Sequence, residues 1–238
     1  MTDPHPDGSQ QQAARLAGLA LLVSWPLVVY ANFAIQDRLV VAGDAAATAR
    51  NLLAHAGLFR LGIAFDLVHC AALLALTVAL YTILQPVHRT YALLAAAWRA
   101  VYAFAWIRMT LNLFEALRLL GPYPFLAALE PPRVQALARY LLSARFEQYY
   151  LGLLFWGLGS TVACALWWRS RYIPRSLALA GLLSSAWAAF CAFAFILNPA
   201  FEKAVGLWAF DVPLGLFELV LAFWLLIRGL KVPATTGP

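Results

Sequence analysis

Apolar residues form six long runs in this chain, and short polar or basic segments separate the runs. About 20 apolar residues in a helix cross the hydrocarbon core of a bilayer. The runs are much longer than barrel strands and do not alternate in polarity, so each is predicted to be a helix. The spans are predicted at residues 15–36, 61–84, 91–117, 149–168, 177–197 and 210–230. The pattern therefore predicts an all-α, polytopic six-transmembrane-helix bundle.

Two segments between the runs have one apolar side and one polar side, which is typical of helices on a membrane surface. In the first, Asp44 is a suitable N-cap for a helix over residues 45–56, and Gly57 is predicted to turn the chain. In the second, a Pro-Pro pair at 131–132 begins a predicted helix over residues 133–146. We expect both to be external amphipathic surface helices.

The two ends of the chain are polar and carry Pro and Gly. Residues 1–12 are predicted to form a disordered cytoplasmic tail, and residues 232–238 a second disordered tail. Residues 13–231 are predicted to form a single membrane domain. Within the first span, Pro26 is expected to kink the helix because proline cannot donate a helical hydrogen bond.

The composition agrees with a membrane protein and argues against a soluble one. The chain is 63% hydrophobic and 12% charged, whereas a soluble domain carries about 25% charged residues. The net charge of +6 comes mostly from Arg in short loops, where topology signals and lipid headgroups explain it. The sequence has no basic patch interleaved with aromatic residues, so nucleic-acid binding is not predicted. The expected partner is the lipid bilayer, and the oligomeric state is left open.

The loops also predict an orientation. Basic residues with almost no acids nearby fall on one side of the predicted membrane: Arg89, Arg169, Arg171, Arg175, Arg228 and Lys231. The acids of the loops on the other side largely balance their bases. The positive-inside rule then places both termini in the cytoplasm and the protein in the plasma membrane.

Ionisable side chains inside the spans carry the candidate chemistry, because a charge in lipid is costly and needs a partner or a function. Asp66 and His69 lie one turn apart on one face of span two, toward its predicted outer end. Counting residues along the spans places Arg108 in the outer half of span three and Glu218 near the middle of the membrane. The predicted outward-opening polar pocket is lined by Asp66, His69, Arg108, Asn112 and Glu218. Residues of secondary interest are Arg60, Arg99, Glu115 and Glu147.

A structural hypothesis competes with the pocket. Arg108 could pair with Glu218 or Asp66 and hold the helices in register, and such polar contacts contribute about 0.6–2 kcal/mol in membranes. Arg99 lies nearer the predicted cytoplasmic end of span three, on the opposite face from Arg108, and is expected to extend toward the headgroups.

A metal site or a nucleophilic active site has less support. Asp66 and His69 have the i, i+3 spacing of two ligands, with Glu115, Glu147 and Glu218 as further oxygens, but only one His is well placed. The three cysteines lie in apolar spans and are expected to be small core residues. The sequence contains no GxSxG, P-loop or GxGxxG motif. No metal, no cofactor and no catalytic residue is predicted.

Three segments resemble a known family: GDAAATARNLLAHAGLFRLGIAFDL from Gly43, RYIPRSLA from Arg171, and ELVLAFWLLIRGLK from Glu218. They are similar to the bacterial multi-pass membrane family known as domain of unknown function 4386, or DUF 4386. The resemblance covers nearly the whole chain after the first tail. It implies a six-helix membrane protein and supplies no activity.

Three functional hypotheses follow. The leading one is a non-enzymatic membrane protein that binds or moves a small or lipid-like ligand through an outer-leaflet polar pocket, or serves as an accessory subunit. The alternative is a membrane-embedded enzyme that acts on a lipid through Asp66, His69 and Glu218. The third is a structural or regulatory membrane partner in which the buried charges only pair with one another.

Overall fold

The computed structural model describes residues 6–126, 128–206 and 208–231, apart from the side chains of Phe125 and Glu202. Helices make up all the regular structure of these residues, which confirms the all-α class. The α-helices are α1 (Gly8–Val29), α2 (Asp37–Leu39), α3 (Ala45–Ala54), α4 (Ala56–Leu84), α5 (Arg89–Leu119), α6 (Pro131–Ser143), α7 (Arg145–Ser170), α8 (Arg175–Leu197), α9 (Phe201–Ala204) and α10 (Trp208–Ile227). A π-helix joins α1 to α2 at Tyr30–Gln36, and a short 3₁₀ helix spans Pro124–Leu126.

Six helical runs are long and apolar enough to cross a membrane, as the apolar pattern predicted. The α4 and α8 helices end at Leu84 and Leu197, where the sequence placed the ends of spans two and five. Proline follows each end within two residues, and a proline cannot continue the helical hydrogen-bond ladder.

The first helix begins earlier than predicted, so part of the expected disordered tail is helical. The hydroxyl of Ser9 and the backbone N–H of Gln10 donate to the carboxylate of Asp7 at 2.7 and 2.8 Å. These bonds lower the pKa of Asp7 below its ordinary value of 3.8. The buried amide of Gln10 also donates to the Ile83 carbonyl at 2.8 Å, which holds the start of α1 against α4. The rest of the predicted tails, at 1–5 and 232–238, lies outside the described residues.

The first predicted surface helix has the expected cap but a different end. The carboxylate of Asp44 accepts from the Ala47 N–H at 2.8 Å, which confirms Asp44 as the N-cap of α3. The prediction of a turn at Gly57 is wrong, since the helix is interrupted at His55 and Gly57 lies inside α4. Glycine is permissive but does not by itself break a helix that tertiary packing supports.

The second predicted surface helix, α6, runs almost directly into span four. Only Ala144 separates α6 from α7, so the helix of span four begins before residue 149. The α3 and α6 helices pack against each other and against neighbouring spans. Their buried apolar cluster is Ile35, Leu39, Leu52, Phe59, Ile63, Leu113, Ala116, Leu117, Ala138 and Leu142. An external position for these helices remains a prediction.

The chain forms two compact units, and each is described by itself. The first unit comprises Met1–Val23, Ala72–Ala103 and Tyr150–Pro238. The second unit comprises Ser24–Ala71 and Phe104–Tyr149. The single membrane domain that the sequence predicted therefore stays a prediction, and the candidate polar residues are divided between the units.

Candidate functional site

In the second unit, a π-helix at the end of span one places Gln36 against the polar residues of α4. π-Helical turns are rare in proteins, and many of those that occur lie at functional sites. Here the π-helix extends over seven residues, Tyr30–Gln36. The buried amide of Gln36 donates through Nε2 to Asp66 Oδ2 at 3.1 Å. Its oxygen accepts from Arg145 Nη1 at 2.6 Å. Gln36 therefore bridges the first turn of α7 to the first half of α4.

Of the described charged side chains around this bridge, Arg145 and Asp37 form an ion pair and Asp66 does not. Arg145 Nη2 forms an ion pair with Asp37 Oδ1 at 3.0 Å. Asp66 is only 3% exposed, and no basic side chain of the described residues forms an ion pair with it. Arg145 is thus paired with Asp37, while the carboxylate of Asp66 interacts with two neutral side chains, the amide of Gln36 and the indole of Trp106.

His69 lies one turn beyond Asp66 on the same helix and is 5% exposed. Its Nδ1 lies 2.7 Å from the hydroxyl oxygen of Ser24, so one imidazole nitrogen is hydrogen-bonded. The ring packs edge-on against Trp106, with centroids 4.6 Å apart. Trp106 in turn meets Tyr149 at 5.9 Å. The aromatic contacts connect α4 and α5 to the start of α7.

Asn112 completes the polar side chains that the spans of this unit bury. It is 1% exposed, and its Nδ2 donates to Gln148 Oε1 at 3.0 Å. Gln148 lies one turn beyond Arg145 on α7 and directly precedes Tyr149. The first turns of α7 therefore reach each candidate residue of the unit directly or through one side chain. We call Gln36, Asp66, His69, Asn112 and Arg145 the polar cluster.

Within the polar cluster, one buried polar atom on each of three side chains has no hydrogen-bond partner among the described residues. These atoms are Asp66 Oδ1, His69 Nε2 and Asn112 Oδ1. A buried donor or acceptor left unsatisfied costs about 1–3 kcal/mol. Most buried polar groups in proteins are therefore paired with protein, water or ligand atoms. These three atoms are therefore candidates for contact with water or with a ligand.

Arg108 does not occupy the position that the sequence predicted for it. Its Nη1 pairs with Glu115 Oε1 at 3.3 Å, and the two side chains are 52% and 48% exposed. Residues seven apart lie on one helix face, and this face of α5 is exposed. The predicted pairing of Arg108 with Glu218 or Asp66 is therefore wrong. Arg60 and Glu147 are also exposed.

In the first unit, the partner of Glu218 is Arg99. Arg99 Nη2 lies 3.4 Å from Glu218 Oε1, and Arg99 Nη1 donates to the Ser160 hydroxyl at 2.8 Å. The guanidinium carbon lies 3.6 Å from the centre of the Trp156 ring, within the range of a cation–π contact. Arg99 is 4% exposed, so the expectation that it extends to the headgroups is wrong.

A small cavity adjoins this pair. Its volume is about 10 Å³, which is at the lower limit for one water molecule. It is lined by Leu21, Leu76, Leu80, Arg99, Ser160, Ala163, Cys164, Trp167, Phe217, Glu218 and Leu221. A Cβ atom at Gly159 would lie 2.9 Å from Arg99 Cγ, so the absence of a side chain there makes room for the arginine stem. The cavity is too small for a lipid-like ligand.

Several of these contacts involve residues that the sequence did not single out: Ser24, Gln36, Arg145, Gln148, Trp156 and Ser160. Their residue types are common in membrane helices and at helix ends, so the pattern alone does not mark them. The five-residue pocket stays a prediction, because Glu218 belongs to the first unit and the other four residues to the second. No group of three or more His, Cys, Asp or Glu that could hold a metal ion is found in the described parts of the chain.

Comparisons with known proteins give a family and no activity. The family model described as "Domain of unknown function (DUF4386)" matches residues 16–229, which is most of the chain. No curated protein and no solved structure matches.

Proposed function

The chain belongs to the DUF4386 family, whose description names no activity, and from the site itself we propose that it is a membrane protein that binds a small or lipid-like ligand. The ligand contacts the polar cluster of the second unit. The protein binds or moves that ligand, or it serves as an accessory subunit. No reaction is assigned to it.

The observation that carries this proposal is the set of three unpartnered buried atoms, Asp66 Oδ1, His69 Nε2 and Asn112 Oδ1. Polar groups inside a membrane protein are costly and mark binding sites or ion pathways unless they pair with each other. The π-helix that presents Gln36 is a second sign of a functional position.

The structural alternative fits the first unit better than the second. Arg99 and Glu218 form an ion pair, and the guanidinium also contacts Ser160 and Trp156, while its buried Nε has no hydrogen-bond partner among the described residues. A pair of this kind can hold helices together without a ligand. In the polar cluster, by contrast, the carboxylate of Asp66 has no ionic partner among the residues described.

The location of the site follows the orientation that the loops predict. The basic segment that contains Arg169, Arg171 and Arg175 supports a cytoplasmic end between α7 and α8. Asp66 lies toward the start of α4, which is then its outer end, so the polar cluster belongs to the outer leaflet of the plasma membrane. Both termini are cytoplasmic in this proposal.

Native mass spectrometry of the detergent-purified protein tests the proposal. We expect wild-type protein to retain a discrete non-protein mass, and Asp66→Asn to lose it. Glu115→Gln is the matched control, because it neutralises an exposed carboxylate on a neighbouring span. Wild-type protein that releases only bulk lipid, or an Asp66→Asn variant that keeps the same mass, would contradict a ligand at this site.

A further inference from the structure

The unpartnered atoms of the polar cluster are mainly acceptors. Asp66 Oδ1 is a carboxylate oxygen and Asn112 Oδ1 an amide oxygen, and neither can donate when the acid is ionised. His69 Nε2 accepts when Nδ1 carries the proton and donates it to Ser24. A ligand that satisfies all three atoms in this state supplies N–H or O–H donors.

The charges favour a cation among such ligands. Gln36 is placed between Arg145 and Asp66, since it accepts from the first and donates to the second. The charge of Arg145 is paired with Asp37 at 3.0 Å. A buried carboxylate without a direct ion pair is unfavourable, and Arg145 lies across Gln36 from Asp66. A cationic group bound at Asp66 removes that penalty.

The aromatic side chains beside the cluster agree with a cation. Trp106 packs on His69, and Tyr149 packs on Trp106. Aromatic rings attract organic cations through their faces. A quaternary ammonium would use these rings but offers no N–H group to the three acceptors. A primary ammonium carries three N–H donors, which equals the number of unpartnered atoms.

We propose that the polar cluster recognises a primary ammonium group, with Asp66 as its counter-ion and Asn112 and His69 as hydrogen-bond acceptors. This inference rests on the proposed ligand-binding function and narrows it to one chemical class. The ammonium can belong to an ethanolamine lipid headgroup or to a free amine of similar size. The shared recognition element is the R–NH₃⁺ group.

The test uses full-length protein in nanodiscs and compares ligands that differ only at the amine. The arms are phosphatidylcholine alone, phosphatidylcholine with phosphatidylethanolamine, and phosphatidylcholine with dissolved ethanolamine, choline or ethylene glycol. A ligand that binds only the folded state raises the thermal unfolding midpoint, and the stabilisation grows with the logarithm of one plus the ratio of ligand concentration to Kd. We expect phosphatidylethanolamine or ethanolamine to raise the midpoint, and choline and ethylene glycol to leave it unchanged.

The lipid arm and the free-amine arm identify the source of the ammonium group. Stabilisation by phosphatidylethanolamine alone indicates a lipid headgroup, and stabilisation by ethanolamine indicates a soluble amine. Asp66→Asn should weaken the apparent affinity on the order of tenfold or more, because a hydrogen bond to a charged group is lost. Glu115→Gln should keep the wild-type response. The comparison among ligands on wild-type protein needs no variant to fold.

Equal stabilisation by choline or by ethylene glycol would overturn the ammonium assignment. If the purified protein still retained a discrete mass that Asp66→Asn loses, the proposed binding function would stand and only its ligand class would be wrong. If no ligand stabilised the protein and no discrete mass were retained, both proposals would fail.

Discussion

Two buried acids, Glu218 and Asp66, have different kinds of partner inside the protein. Glu218 is paired with Arg99, whose guanidinium also contacts Ser160 and Trp156. Asp66 accepts from the neutral amide of Gln36, and its second oxygen has no partner among the described residues. The first acid is thus satisfied inside the protein, whereas the second is suited to an external partner.

The pairing of Arg99 with Glu218 predicts strong coupling between the two side chains. Arg99→Met and Glu218→Leu should each lower stability by about 3–5 kcal/mol, because each leaves a buried charge alone. The double variant should recover most of the loss. Thermal unfolding of the four proteins in one detergent measures this double-mutant cycle. Losses that simply add in the double variant would show that the two side chains do not stabilise each other.

Tyr172 predicts a loss of stability at high pH. Its side chain is fully buried in the loop between α7 and α8, and burial raises the pKa of Tyr172 above its ordinary value of 10.0. Above about pH 10 the unfolded chain ionises this phenol while the folded protein keeps it neutral, so folding becomes less favourable as pH rises. Below that pH the phenol is neutral in both states and has no effect.

Thermal midpoints of wild-type protein and Tyr172→Phe between pH 8 and pH 11.5 measure the Tyr172 contribution. The wild-type midpoint should fall more steeply above about pH 10 than that of the variant. Parallel pH profiles for the two proteins would show that burial does not perturb this phenol.

Among the helices, the boundaries that a single residue type marks could be predicted. Proline after Leu84 and Leu197 marked the ends of α4 and α8, and Asp44 marked the start of α3. The π-helix at Tyr30–Gln36 could not be predicted, because no residue in YANFAIQ requires an extra residue per turn. Its last residue, Gln36, makes the contacts to Asp66 and Arg145.

The α3 cap predicts a local effect. Asp44→Ala should cost about 1 kcal/mol, because the Ala47 N–H loses its acceptor. Hydrogen exchange followed by mass spectrometry should show faster exchange at the start of α3 and unchanged exchange in α8. If protection at the start of α3 were unaffected, other contacts would hold this turn.

Loss of the bridge through Gln36 is expected to destabilise the protein more than loss of the α3 cap. Gln36→Leu should lower stability by about 1–3 kcal/mol, because it leaves Asp66 Oδ2 and Arg145 Nη1 without this partner. Asn32→Leu is the matched control, since Asn32 lies in the same π-helix and its side-chain amide donates to the Val28 carbonyl one turn away. Equal effects of the two changes on the thermal midpoint would argue against a special role for Gln36.

Across the whole molecule, the fold class and the burial of Asp66, His69, Asn112 and Glu218 could be predicted from the sequence, but the partners of these side chains could not. Apolar length and composition suffice for six spans, because lipid leaves few alternatives to helices. The helical period correctly put Arg99 and Arg108 on opposite faces, but it could not show which face is buried. Packing buries Arg99 and exposes Arg108, and this decides which arginine meets Glu218.

An experimental structure of the full-length protein in lipid nanodiscs tests the central claim most directly. We expect non-protein density within hydrogen-bonding distance of Asp66 Oδ1, His69 Nε2 and Asn112 Oδ1, the atoms that lack partners in the described part of the chain. Density that extends beyond a single water and contacts Asp66 would support a bound ligand. A cluster in which these three atoms bond only to protein groups or isolated waters would contradict the account.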